Sequence, residues 1–231
     1  MRIRFLIIIL LVAACSVVGQ ETKPKNDPTY DERPIHFGFS FGLNTMGFVF
    51  SRNPINGKGL VPEINTPSPG FQINAVSDLR LFKYLSIRIL PGCSFGDREV
   101  NYWYHKNGAD SLINTAKTSS SFAEMPILLK YKSSRLNNYA PYFIAGINPR
   151  FDFDAKKHDG DLIQLKRFDI YAEMGFGIDF YNPFFKFSSE LKLSLGMFDI
   201  LNHTPIDRNE DYTRAIDALH SKIVMFTIYF E

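Results

Sequence analysis

Tryptophan and cysteine are nearly missing from this chain, which has Trp 1 and Cys 2 in 231 residues. Cys15 falls in the first twenty residues, so Cys93 alone serves the remainder and no internal disulfide can staple the fold. Charge excess is missing too. Lys+Arg 26 against Asp+Glu 24 leaves +2, and without residues 1–19 the two signs balance at 24 each. No basic stripe remains to hold nucleic acid. Long apolar runs stop after the start, and the mean hydropathy is −0.11. That excludes a bundle of membrane-spanning helices.

The one apolar run is "MRIRFLIIILLVAACSVVGQ". Arg2 and Arg4 precede a short greasy stretch, Phe5 to Ala14, and Val17 and Gly19 suit the −3 and −1 positions of a cleavage site. Residues 1–19 therefore read as a signal peptide, too short to cross as a mature helix. The rival is a lipoprotein signal, in which "VAAC" presents Cys15 for lipidation. Residues 20–34, "QETKPKNDPTYDERP", carry charge and proline with little apolar mass, as a flexible periplasmic leader would.

What the chain does hold is Phe 22 and Tyr 11, arranged with a period of two. In "FFKFSSELKLSLGMF", Phe185, Phe187, Leu191, Leu193, Leu195 and Met197 oppose Lys186, Ser188, Glu190, Lys192, Ser194 and Gly196. The same alternation recurs in "IHFGFSFGLN", "GFQINAVSDLRL", "LSIRILPGCSFG", "FAEMPILLKYK", "APYFIAGIN", "DIYAEMGFGIDF" and "KIVMFTIYFE", giving eight strands. Their connections alternate between short ("FKY", "SSRLNN", "YNPF") and long (about residues 51–69, 97–119, 153–166 and 199–219). An antiparallel up-and-down barrel with tight turns at one end and long loops at the other has that pattern. The domain reading is signal peptide 1–19, leader 20–34 and barrel 35–231.

A lipocalin-like soluble barrel would turn its greasy face inward. Here the opposite face mixes glycine and serine with Arg80, Arg88, Glu124, Lys130, Glu173, Asp179, Lys186, Glu190 and Lys192. Small residues and paired ions fit the narrow lumen of eight strands, whereas strand glycines bring nothing to a solvated exterior. The greasy face is then expected to meet lipid, in an eight-stranded transmembrane β-barrel. Strands of about ten residues suit a tilted crossing. Phe82, Tyr84, Tyr181 and Phe184 at the short turns, and Tyr102, Trp103 and Tyr104 at the other end, would form interfacial girdles.

Chemistry is harder to find. The lumen ions read as a structural plug, for no nucleophile, base and orienting group stand together. His36, His105, His158, His203 and His220 lack zinc spacing and read as solvated loop or strand-end residues. Asp207, Glu210, Asp211 and Asp217 lack the alternate spacing and glycine turn of a calcium loop. "GFGIDF" is a strand feature with no phosphate cradle. Cys93 falls on the lipid face. The expectation is a chain that is no enzyme, with no catalytic, cofactor-binding or metal residues and no cofactor. Its partner is the lipid bilayer; nucleic acid is not a partner and no small-molecule substrate is evident. Eight filled strands also leave no diffusion pore.

The segments "IHFGFSFGLNTMGF" (35–48), "DLRLFKYLSIRILPGCSFGDRE" (78–99), "EMPILLKYKSSRLNNYAPYFIAG" (124–146), "FDIYAEMGFGIDFYNPFFKFSSELKLSLG" (168–196) and the terminal "SKIVMFTIYFE" resemble the PorT-like outer-membrane barrels of the Bacteroidetes type IX secretion system. The combination of "LRLFKYLSIR", "LLKYKSSRLNN" and "IDFYNPFFKFSSELKLSLG" is the narrower part of the likeness; the glycine-rich strands are shared by a wide group of such barrels. Cys93 in "PGCSFG" departs from an ordinary apolar residue there and affects packing only. The resemblance implies an accessory or assembly component of protein secretion, in some relatives supporting gliding motility. It implies an outer membrane location with both termini periplasmic, and other secretion-system proteins as partners. A generic barrel that binds ligands or surfaces through its long loops is the alternative.

Overall fold

Backbone N–H and C=O groups along a strand need neighbours on both edges, and here the sheet supplies them by closing on itself. The computed structural model describes residues 24–52, 60–64, 68–106, 109–155, 163–202 and 216–231. A 3-10 turn, Tyr30–Glu32, precedes the strands β1 (Ile35–Arg52), β2 (Leu60–Ile64), β3 (Ser68–Arg80), β4 (Leu85–Ile89), β5 (Gly92–Lys106), β6 (Ala109–Glu124), β7 (Ile127–Lys132), β8 (Tyr139–Asp152), β9 (Phe168–Tyr181), β10 (Lys186–Gly196) and β11 (Ile216–Phe230).

All pairings are antiparallel. β4 and β5 together make one wall strand, as do β6 and β7, and β2 lies apart, paired with the outer part of β5. The walls then run β1, β3, β4/β5, β7/β6, β8, β9, β10, β11 and back to β1: the eight-stranded up-and-down barrel that the alternation calls for. Both split walls break at a proline, Pro91 and Pro126, which has no N–H for the ladder. Neighbouring bonds carry the sheet past them: Leu90 N–H donates to Pro126 C=O at 3.0 Å and Ala75 N–H to Pro91 C=O at 2.9 Å.

Inside and outside divide as the sequence pattern demands. Phe37, Phe39, Leu43, Ile73, Phe143 and Phe176 are among the large apolar side chains on the exposed face, with Phe37 72% exposed. Cys93 is exposed on that face. An apolar surface of this extent belongs in lipid, not water. Gln72, Asn74, Arg88, Lys130, Glu173, Asp179, Glu190 and Lys192 are buried within.

The long connections depart from expectation. The sequence predicts a loop over about residues 97–119, but β5 and β6 continue through them as a hairpin, from Gly92↔Glu124 to Lys106↔Ala109. The lipid-facing signal ends at Phe95 because Asp97 and Glu99 follow on that face, yet Val100 and Tyr102 still point inward and keep the strand amphipathic. Two girdle assignments also change: Tyr102 and Tyr181 are buried. Phe82, Tyr84 and Phe184 are exposed at the short-turn end as a girdle requires.

Candidate functional site

The lumen gathers the charged side chains, so it is the first candidate for function. Nearest the short turns, Arg88 on β4 meets Asp78 at 2.9 Å, Glu231 at 2.7 Å and Glu190 at 3.7 Å. Its guanidinium lies 4.7 Å from the Tyr229 ring centre, and the Tyr229 and Tyr142 hydroxyls both donate to Glu190, at 2.6 and 2.9 Å. Lys130 grips both oxygens of Asp179, at 2.9 and 2.8 Å, and Ser188 donates to the same carboxylate at 2.7 Å. Lys186 adds a bond to Glu231.

A second tier lies further out. Arg150 bridges Glu124 at 2.9 Å and Glu173 at 3.2 Å, while Lys192 pairs with Glu173 at 2.9 Å. Asn74, Asn148 and Ser194 complete the carboxylate shells, donating to Glu124 at 2.8 Å and to Glu173 at 2.8 and 3.0 Å. Above it Arg98 pairs with Asp152 at 2.9 Å, donates to Ser221 at 2.7 Å, and stacks on Phe48 and Phe122.

The end of the lumen away from the short turns is shut by grease. Phe48, Val100, Tyr102, Ala116, Ile163, Leu165, Ile200, Leu201, Ile216 and Leu219 form one buried cluster. Residues 163–166 and 199–202 fold inward to build it: Leu165 bridges Leu201, and Lys166 N–H donates to Ile200 C=O at 2.8 Å.

The leader closes the other end. Tyr30 is buried, stacked on His36 at 4.1 Å and edge-on to Tyr181. Asp31 accepts from Lys132 and from the Tyr181 hydroxyl, the latter at 2.9 Å. Asn26 holds Asn138 and the Tyr181 carbonyl, and Arg135 donates back to Asn26 C=O. The second half of the expected leader thus packs on the mouth instead of hanging free, because Asp31 and Asn26 find partners more than a hundred residues away. Burial alone would raise the Asp31 carboxyl, but Lys132, Tyr181 and Arg135 hold it below the ordinary carboxylate value. A cavity of about 30 Å³ is left between Tyr30, Asp78, Lys130 and Lys186, room for about one water.

Among the described residues most of these charges pair with one another, while Arg150 Nε and Nη1 and one Asp169 carboxylate oxygen are buried without a hydrogen-bond partner. The wall strands place every lumen ion named from the sequence inside except Arg80, which sits at the mouth and donates to Asp31 C=O. Asp152, Arg150, Arg98 and Glu231 were missed. The period of two continues into each from Asn148, Ser94 and Tyr229, beyond where the lipid-facing signal stops. Among the described residues no His, Cys, Asp and Glu group is arranged to hold a metal. His36 is half-buried against Tyr30 and His220 lies in β11; His158, His203, Asp207, Glu210 and Asp211 fall outside the described residues, and Asp217 is exposed on β11.

Residues 19–202 match the family model described as outer membrane protein beta-barrel domain. No curated protein matches the sequence. Several solved structures are similar in outline, and three of them are the following. The outer membrane protein OprG from Pseudomonas aeruginosa is 13% identical over 85% of this chain and 91% of its own, at a TM-score of 0.46. Neisserial surface protein A is 9% identical over 85% and 98%, at 0.44. The N-terminal beta-barrel domain of Pseudomonas aeruginosa OprF is 12% identical over 83% and 96%, at 0.36.

Proposed function

Because the chain belongs to the outer membrane protein beta-barrel domain family, we propose that it works in the outer membrane as a closed, non-conducting accessory or assembly component of type IX protein secretion. The observation that carries the non-conducting part is the stack of mutually paired ions, Arg88 to Arg98, between an apolar outer cap and a docked leader. A barrel so filled passes neither solute nor folded cargo, which leaves docking, assembly or anchoring as its work. The secretion role is supported by the sequence likeness, whose segments fall on β1, β3 to β5, β6 to β8, β9, β10 and β11. In this reading residues 1–19 are a signal peptide, the short turns and both termini face the periplasm, and the partners are larger secretion-system proteins.

The test is deletion of the gene followed by an assay of export of proteins bearing the sorting domain. Export should fail and return on complementation; unchanged export would discard the secretion role. Planar-bilayer recording of the purified chain should show no steady conductance, and a stable ohmic pore would discard the closed barrel. A second reading, a barrel that binds through its outer parts, is favoured by the β5–β6 hairpin, which carries polar residues beyond the lipid band.

A further inference from the structure

Residues 24–33 lie across the short-turn end of the barrel, outside every strand, and side chains of the wall and its turns hold them. Long donors read the main-chain carbonyls. Arg135 reaches Asn26 C=O and, at 3.2 Å, Asp27 C=O; Asn138 reaches Pro24 C=O at 3.3 Å; Arg80 reaches Asp31 C=O. Two side chains enter fitted places. The Tyr30 ring sits in a slot between His36, stacked at 4.1 Å, and Tyr181, edge-on at 5.6 Å. The Asp31 carboxylate sits in a clamp of Lys132, the Tyr181 hydroxyl at 2.9 Å and Arg135 at 3.8 Å. His36, Lys132 and Tyr181 belong to β1, β7 and β9, so the barrel builds both places. The segment fills them imperfectly. The Arg135 side chain is only 5% exposed, yet its Nε finds no acceptor among the described residues, a cost that a closer-fitting ligand would remove. A cavity of about 140 Å³ remains between Tyr30, Arg33 and Phe185. Asp27 takes a φ of 39°, in the left-handed region that favours glycine.

We propose that the mouth is a peptide-binding site, occupied in cis by residues 24–33, which in trans takes a segment of a partner protein in which an aromatic residue directly precedes an acidic one. The ring goes to the slot between His36 and Tyr181, the carboxylate to the clamp of Lys132, Tyr181 and Arg135. Three side chains that read neighbouring carbonyls call for a polypeptide. The same segment of a second copy does not reach. Pro34 C=O accepts from Arg80 N–H at 2.9 Å, so residues 24–33 swing from Arg33 alone. Two residues span about 7 Å, whereas eight strands about 4.8 Å apart close to a ring at least about 12 Å across. Attachment in cis supplies the segment at about millimolar effective concentration, so a partner wins the site through a better fit. The site stands apart from the secretion reading and needs none of it, for it is tested on the purified chain alone.

The experiment uses the full chain in detergent and a fluorescent peptide copy of residues 24–33, "PKNDPTYDER", with binding read by anisotropy. Tyr30→Ala with Asp31→Asn clears the slot and the clamp and leaves the wall unaltered. The cleared chain should bind the peptide about tenfold or more tighter than the unaltered chain, whose own segment competes. A peptide carrying the same two changes should bind neither. Arg135→Gln in the cleared chain should weaken binding by about tenfold, as for a lost charge-assisted hydrogen bond. Gel mobility of unheated samples shows whether each barrel is folded. Equal binding to the cleared and unaltered chains, binding of the altered peptide, no binding to a folded cleared chain, or an Arg135→Gln change without effect would each overturn the proposal. A cleared chain that no longer folds would do so too, since residues 24–33 would then be a foundation of the barrel and not its ligand.

Discussion

The guanidinium of Arg88, on β4, meets the side-chain carboxylate of Glu231, just past β11, at 2.7 Å. This contact spans the lumen and ties the residue that follows the closing strand to a wall three positions away. It is also the centre of a shared group, since Asp78 and Glu190 approach the same cation.

Arg88→Met should therefore unfold the barrel more easily by about 3–5 kcal/mol, because three carboxylates lose their common partner in a water-poor lumen. Adding Glu231→Gln should return part of that loss, as the uncompensated charge falls. Urea titration of the barrel in lipid vesicles, followed by the gel-mobility shift between folded and unfolded forms, measures both. A simple sum of the two single losses would contradict the shared-cation picture.

Leu193→Arg places a charge on the outward face beside Met174 and Val224. Near the bilayer midplane it should cost about 2–4 kcal/mol. Ser194→Leu, one residue on, drives bulk against Glu173, to which the serine donates at 3.0 Å, and should disturb folding by a different route. The pair of results, read in the same vesicle assay, checks which face is outside.

Gly177 faces the Tyr142 ring, and a Cβ there would come within 2.4 Å of it and 2.6 Å of the Ser189 carbonyl. Gly177→Val should push Tyr142 off Glu190 and cost about 1–3 kcal/mol by overpacking. Tyr142→Phe in the same background should recover little, since the clash is with the ring itself. Thermal unfolding in detergent reports it.

Asp31 gives the leader its pH dependence. Its folded carboxyl lies below the ordinary value of 3.8, so its contribution is present above that value and disappears as pH falls through the folded one. Residues 26–33 should hold to the mouth at neutral pH and loosen in strong acid, seen as faster cleavage by an acid-active protease. Asp31→Asn should loosen the segment at neutral pH and flatten the dependence.

The barrel was legible because lipid imposes a strict period: Phe37, Phe39 and Phe41 can only alternate with small or polar partners, and the tight turns at 82–84 and 133–138 announce themselves. The hairpin was not, since outside the lipid band Asp97, Glu99 and Lys117 can face water on a strand or a loop alike. The lumen site was half legible. Arg88 and Lys130 stand in strands with apolar alternates, whereas Arg98 and Asp152 meet only through the fold, 54 positions apart. The docked leader lay beyond reach for the same reason. Asp31 has no partner nearby in sequence; Lys132 lies 101 positions on.

Tyr30 donates to Glu231 at 3.3 Å, so the beginning and the finish of the described chain share one rim. A short tether joining them, with a new opening cut in an outer connection, would leave each rung of the cylinder in place. Wall order, then, is a property of the ring and owes nothing to where the polypeptide happens to start.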